Sequence, residues 1–391
     1  MNTQTLQRLA DPQVLRQHFI NDRQTMPTRR IWRGTTPPAL PPHTAGALAG
    51  MQVPGPRPGV LQPLEHFLSR AESNALLVLH RGALVHEQYL HSMAAHDTHL
   101  SASISKSVVS LVAGVLLRDG LLQREQRLGH YVPELAGTAF GEANLDQLLH
   151  MGTAVSYGGR AFNKEQEARR FFEAVGMFER AADYTGPRTL LERLATAGAE
   201  QPPGQIFRYE NGNTEALGEA IRRVTGQSLA QLVSELLWVH LGAGEDAHFG
   251  LDSTGRELAS GRFSATARDL ALLGELLRCG GSRQGVQVLD EALVADITRI
   301  PDGPAADVLG TGDTRANGPV LAYHDFWWLP LGEPGSFVAR GRSGQRLYVD
   351  PRRELVIVHF GAQPVRADVP VPDFEQVFAH IGRQLTATPA G

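Results

Sequence analysis

Only two of the thirty-seven basic residues in this chain are lysines, Lys106 and Lys164, and Lys106 stands three positions after Ser103. Wherever a positive charge alone is wanted, the chain uses arginine. Lys106 is thereby marked for a task arginine cannot perform, because a desolvated amine can release its proton near neutral pH and a guanidinium cannot. A serine one helical turn before such an amine is a candidate activated nucleophile. Two further clusters could complete a site. In Phe207-Arg208-Tyr209-Glu210-Asn211, Tyr209 and Asn211 are two apart, so an extended segment projects them the same way. A phenol can relay a proton, and a carboxamide can hold both a lysine and a substrate amide. The third cluster is Arg340-Gly341-Arg342-Ser343-Gly344-Gln345, where glycines admit a close approach and backbone N–H groups can meet an oxyanion. Each cluster also has a plainer explanation: a capping serine, a core tyrosine before an Asx turn, and a tight turn between strands.

These residues need elements to position them. Val108 to Leu117 is apolar on most faces, which predicts a buried helix from Ser103 to Asp119, with Gly120 supplying the left-handed exit. Ala75 to His80 and Leu84 to Tyr89 read as a hairpin turning at Arg81-Gly82. Helical spacing recurs over Leu145–Met151, Lys164–Phe178, Arg188–Ala195, Thr214–Val224, Leu229–His240 and Thr266–Leu277, with Ser264 as a cap for the last. Strand character returns at His324–Trp328, Ser336–Arg340, Gln345–Val349 and Glu354–Phe360, and Phe374–Leu385 closes the chain as a helix. The pattern predicts an α+β fold: an antiparallel sheet with flanking helices built from both chain ends, plus an inserted, mainly helical subdomain. Residues 1–60, rich in proline, read as an N-terminal extension. Residues 61–118 and 286–391 read as the sheet subdomain and 119–285 as the insertion, with the cleft at their junction.

Composition removes several function classes. Hydrophobic residues make up 42% and charged residues 20%, as in a soluble globular chain. A formal net charge of -4 and the lack of a basic tract give nucleic-acid binding no support. No apolar run is long enough to span a membrane, and Met1 to Arg8 do not begin a secretory signal, so the expectation is a cytoplasmic protein. One cysteine, Cys279, excludes an internal disulfide framework. No two of the fifteen histidines stand four apart, so no zinc-binding helix is indicated, and neither a metal nor an organic cofactor is expected. No nucleic-acid or membrane partner is expected, and nothing in the sequence sets an oligomeric state.

The order of the three clusters carries more than any one of them. Ser103-x-x-Lys106, Tyr209-x-Asn211 and Arg342-Ser343-Gly344 resemble the Ser-x-x-Lys, Tyr-x-Asn and Lys-Thr-Gly elements of the serine β-lactamase and penicillin-binding protein superfamily. The spacing is most similar to class C β-lactamases, DD-peptidases and related esterases. Leu148-Leu149-His150-Met151-Gly152-Thr153 and Gly344 to Pro351 extend the resemblance, which covers roughly residues 60–385. Asn213-Thr214-Glu215-Ala216-Leu217-Gly218 and the Met26 to Arg29 region are similar to 6-aminohexanoate-dimer hydrolases. The resemblance implies an acyl-enzyme hydrolase of esters or amides. Ser103 would be the nucleophile, Lys106 its base and Tyr209 the proton shuttle. Asn211 would position Lys106 and substrate, and the N–H groups of Ser103 and Gln345 would form the oxyanion hole. Tyr157 would correspond to an aromatic that binds amide substrates, and Arg342, Ser343 and Gly344 would line the substrate site. Two departures stand out. Arg342 replaces the usual lysine, with Ser343 where many esterase-like relatives have histidine, and Asn211 stands where dimer hydrolases usually have serine. A linear amidase, a β-lactamase or DD-peptidase-like activity, and a noncatalytic binding protein are the alternatives.

Overall fold

The computed structural model describes residues 11–37, 42, 46–158, 163–308, 321–364 and 372–387. Its main sheet has seven strands: β1 (Ser73–His80), β2 (Ala83–Tyr89), β3 (Leu321–His324), β4 (Trp327–Pro330), β5 (Phe337–Gly341), β6 (Gln345–Asp350) and β7 (Leu355–Gly361). They lie in the order β3-β4-β5-β6-β7-β1-β2, all antiparallel. The pairing of β7 with β1 joins the late strands to the early hairpin, as the sequence predicts. Strands β1, β6 and β7 are buried throughout, and β1 and β7 read as near-continuous apolar runs rather than as alternation.

Four helices matter to the site: α1 (Ile104–Arg118), α2 (Asn211–Thr225), α3 (Ala267–Arg278) and α4 (Phe374–Ala387). Successive strand residues point to opposite faces, and the two faces carry different helices. Val356 and Leu347 press against Gly274 of α3, and Leu355 against Gly382 of α4. Phe374 and Phe378 of α4 pack beside His359 and Tyr348. Helix α1 is buried along most of its length and ends at Asp119, with Gly120 at φ 74°. Among the described residues no helix is long and apolar enough to cross a membrane.

Three expectations need correction. His324–Trp328 is not one strand: Asp325 and Phe326 sit at φ 45° and 64° and turn β3 into β4. No glycine signals that turn. It is held from outside, by Arg124 on the Asp325 carboxylate and by the Ser107 hydroxyl on the Phe326 carbonyl, 2.8 Å. The cap of α3 is Thr266, which accepts the Asp269 N–H at 3.0 Å; Ser264 is already engaged in a strand opposite Leu100. The packed body also begins well before Leu61. Pro12–Ile20 is a helix capped by Asp11, and Thr28–Ile31 pairs with Ala247–Gly250 in a four-stranded sheet that continues through Phe263–Ala265 to His99–Leu100.

Candidate active site

The chain leaves the His99–Leu100 strand through Ala102, at φ 49°, and enters α1 at Ser103. Ser103 occupies the cap position, yet its hydroxyl makes no capping bond. It faces the amine of Lys106 instead, with Nζ 3.0 Å from Oγ. The same Nζ lies 2.9 Å from Asn211 Oδ1 and 2.6 Å from the Ser260 carbonyl oxygen, and Lys106 is 0% exposed. Of these three partners, the amide oxygen and the carbonyl can only accept. Once neutral, an amine so placed can donate to Asn211 and Ser260 and turn its lone pair to the Ser103 O–H.

Helix α2 sets two of those three contacts. Glu210 caps it, Asn211 is its first residue, and Glu215 follows one turn later. The fully buried Glu215 carboxylate accepts the N–H groups of Ala259 (3.0 Å) and Ser260 (2.9 Å) and the Ser260 hydroxyl (2.6 Å), which fixes the Ser260 carbonyl under Lys106. Burial pushes this carboxyl up, and the Ser260 hydroxyl and the two N–H groups oppose the shift. In the sequence Glu215 stands out only as part of the Asn213–Gly218 stretch, with no role attached, and Ser260 not at all. The one signal available there is a glutamate spaced a single turn from Asn211 within a buried stretch.

Tyr209 brings its ring to 5.0 Å from Lys106 Nζ and packs on Trp328 and Tyr323, with centroids at 5.4 and 5.9 Å. Ser103, Lys106, Tyr209 and Asn211 thus share one location. Tyr157 stands behind it: the residue is 4% exposed, its hydroxyl is directed at Glu210 Oε1 (3.4 Å), and the Arg193 guanidinium covers its ring at 3.4 Å. Its contacts are with the support of α2 rather than with the serine.

Burial raises the Glu210 carboxyl to about 7, against the lowering influence of the Gly212 N–H, Arg193, Lys106 and the Tyr157 hydroxyl. The folded protein therefore holds a proton here that the unfolded chain releases near pH 4.5, so stability contributed by this group falls as pH rises towards 7 and is level above it. Glu210→Gln is expected to abolish that decline, worth about 3 kcal/mol. The check is the difference in unfolding free energy between the two proteins at pH 5 and pH 8; equal differences at both would refute it.

The third cluster divides in two. Strand β5 ends at Gly341, where an added Cβ would stand 2.4 Å from the Ser101 carbonyl oxygen, so the strand end and the serine loop abut. Arg342 follows and is exposed. Beyond it the chain turns inward. Ser343, at φ 66°, is 7% exposed, and the Gly344 carbonyl accepts from Nδ1 of the buried His359 at 2.6 Å. Gln345 is 0% exposed, its side-chain amide donating to the Arg342 and Gly361 carbonyls (3.0 and 2.8 Å) and accepting the Gly361 N–H. Gln345, expected to line the substrate site, thus commits its side chain to the Arg342 and Gly361 backbone. Glycine-flanked spacing singled out Arg342-Ser343-Gly344, but the strand that meets the serine loop stops at Gly341.

Among the described residues one group, His150, His324 and Asp325, could ligate a metal by proximity. Its donor atoms are already committed. His150 Nε2 and His324 Nδ1 share a hydrogen bond of 2.7 Å, His324 Nε2 faces Asp296 at 3.0 Å, and both Asp325 oxygens take Arg124. The cluster ties the Asp325 turn to the helix before Met151, and its fit is to protons rather than to a cation.

An antiparallel sheet flanked by helices, one of which brings a serine against a buried lysine, is the layout of a β-lactamase-type hydrolase. Residues 64–379 match the family model described as Beta-lactamase. The chain is 32% identical over 304 residues to the 6-aminohexanoate-dimer hydrolase of Paenarthrobacter ureafaciens, covering 78% of this chain and 76% of that protein. A solved structure from Bacillus anthracis, provisionally named a 6-aminohexanoate-dimer hydrolase, superposes with a TM-score of 0.87 at 31% identity, over 98% of this chain and 97% of the other. EstCE1, a hydrolase with promiscuous acyltransferase activity, shares the fold at 16% identity and a TM-score of 0.59, over 82% and 95% of the two chains. The chain belongs to the β-lactamase family and is a hydrolase of its serine β-lactamase-related kind.

Proposed function

We propose that this hydrolase opens carboxylic ester and short linear amide bonds through an acyl-enzyme on Ser103. The observation that carries the proposal is the fully buried Lys106 amine, 3.0 Å from the Ser103 hydroxyl and held from two other sides by groups that can only accept. Lys106, neutral, takes the Ser103 proton as Oγ attacks the carbonyl. The negative charge on the carbonyl oxygen is met by the N–H groups of Ser103 and Arg342, the latter in place of the Gln345 that the family resemblance implies. Tyr209 protonates the leaving alkoxide or amine, and water then releases the acyl group with the same groups acting in reverse. The cleft lies where residues 119–285, carrying Tyr209, Asn211 and Ser260, meet residues 61–118 and 286–391, the division we propose for the chain. The substrate is a small molecule, and the proposed setting is the cytoplasm.

The test is stoichiometric: a serine-reactive alkyl phosphonate is expected to add one adduct mass per chain. Ser103→Ala is expected to abolish both the adduct and turnover of p-nitrophenyl esters, a loss of about 10⁴-fold or more. Full turnover in Ser103→Ala, or an adduct on another residue, would remove the proposal. A second substrate reading, a linear amidase of the 6-aminohexanoate-dimer type, is supported by the two relatives above 30% identity that carry that name. The exposed Arg342 guanidinium suits the carboxylate of such a substrate. A panel of esters, linear amides and β-lactams separates these from a β-lactamase or DD-peptidase-like activity. Inertness towards every acyl donor would favour a noncatalytic binding protein.

A further inference from the structure

We infer that Arg346, held by Glu375 of α4, is a positioning residue that aims the Arg342 N–H at the reacting carbonyl; this rests on the Ser103 acyl-enzyme reading. Arg346 is 4% exposed and Glu375 3%, and Nε of Arg346 lies 3.1 Å from the Glu375 carboxylate. A buried ion pair of this kind is weak as a source of stability, since removing both charges from water costs several kcal/mol and apolar packing can replace them. Its geometry suggests another use. Nη1 of Arg346 donates to the Gly341 carbonyl at 3.1 Å and to the Gln345 carbonyl at 2.8 Å, bridging the two residues that face each other at the neck of the β5–β6 hairpin. The aliphatic and aromatic surroundings keep the guanidinium there, with Phe374 4.6 Å beneath it.

The Gly341 carbonyl and the Arg342 N–H belong to one planar, trans peptide, so they point in opposite directions. Arg346 lies on the α4 face of β6, so drawing the carbonyl towards it turns the N–H towards the opposite face. That opposite face, shared with the Gln345 side chain, is where Gly341 abuts the Ser101 carbonyl, two residues from Ser103. A donor contributes to transition-state stabilisation only if it is fixed before charge develops, because a peptide free to rock forfeits the benefit. The same Glu375 carboxylate lies 3.3 Å from Arg340, whose guanidinium covers Trp328, the ring on which Tyr209 packs. One carboxylate on the last helix therefore reaches both the oxyanion donor and the support of the phenol.

The experiment compares Arg346→Met, Arg346→Lys and Glu375→Gln with the unmodified protein and with Ser103→Ala. It uses p-nitrophenyl ester turnover and a boronic acid that forms a tetrahedral adduct on the serine. Arg346→Met is expected to lower kcat by about 10–100-fold, with KM within about twofold, and to weaken the boronic acid by a similar factor. Arg346→Lys, which keeps a donor for the Gly341 carbonyl, is expected to recover most of that loss. A folded Arg346→Met protein with unchanged kcat and boronate affinity overturns the positioning role alone. Turnover surviving in Ser103→Ala overturns the serine reading itself. Should Arg346→Met fail to fold, Glu375→Gln decides: a several-fold fall in kcat at constant KM supports the role, and an unchanged kcat overturns it.

Discussion

Lys106→Arg is expected to lower kcat/KM for a p-nitrophenyl ester by about three to four orders of magnitude, close to the effect of removing a general base altogether. The substitution keeps a positive charge and several donors, so Asn211 Oδ1 and the Ser260 carbonyl can still be satisfied. It removes the one property on which the mechanism depends, an uncharged nitrogen with a lone pair available to the Ser103 hydroxyl. Lys106→Met, which matches the length of the aliphatic stem, should be comparably slow, and the rate of phosphonate labelling should fall with turnover in both. Since 0% of Lys106 is exposed, some loss of stability will accompany either change. Far-UV circular dichroism and a thermal midpoint tell that loss from a chemical one. A Lys106→Arg protein within about tenfold of the parent would mean that Ser103 finds its base elsewhere.

Asp22→Ala is expected to cost about 3–5 kcal/mol of stability, the largest single effect foreseen outside the core. Asp22 is 1% exposed and pairs with Arg262, itself 6% exposed, so truncation strands a guanidinium in the interior. Burial pushes the Asp22 carboxyl up, and Arg262 and the Ser264 hydroxyl oppose that, which leaves the pair as the compensation for its own desolvation. Residue 262 lies between Ser260, whose carbonyl takes Lys106, and Phe263, whose N–H donates to the Ser105 hydroxyl at 2.7 Å. Loss of the pair should therefore lower the temperature at which activity disappears, in step with the denaturation midpoint. The double variant Asp22→Ala, Arg262→Met should recover much of the loss, because no charge remains to be solvated. A single variant within about 1 kcal/mol of the parent in chemical denaturation would show that the N-terminal segment does not brace the site.

What could be read from the sequence, and what could not, follows from how local each cause is. The Arg81-Gly82 turn and the exit of α1 at Gly120 are written in adjacent residues, and both are legible. Ser103 and Lys106 stand out through spacing and through the scarcity of lysine. The Asp325–Phe326 turn is hidden because its left-handed residues are imposed by Arg124 and Ser107, some two hundred positions away. Glu215 is hidden for a related reason: its partners Ala259 and Ser260 lie 44 and 45 residues along the chain. The N-terminal segment reads as an appendage because prolines interrupt it, whereas Thr28–Ile31 gains strand character only by pairing with Ala247–Gly250. Which residue of the third cluster faces the serine is not legible either, because glycine-flanked triplets look alike in sequence, and only the fold shows the Gln345 side chain enclosed.

The contact between Gly341 and the serine loop also limits how this enzyme can be diversified. A methyl group at 341 would meet Ser101 backbone, and at the left-handed Gly344 it would press on the rings of Phe374 and His359. Backbone of that kind cannot rotate aside as a flexible side chain can. The exposed side chain between these two fixed points belongs to Arg342, so a mutant library aimed at substrate range should randomise 342 and leave 341 and 344 untouched. Natural drift towards new acyl groups would be channelled through the same narrow window.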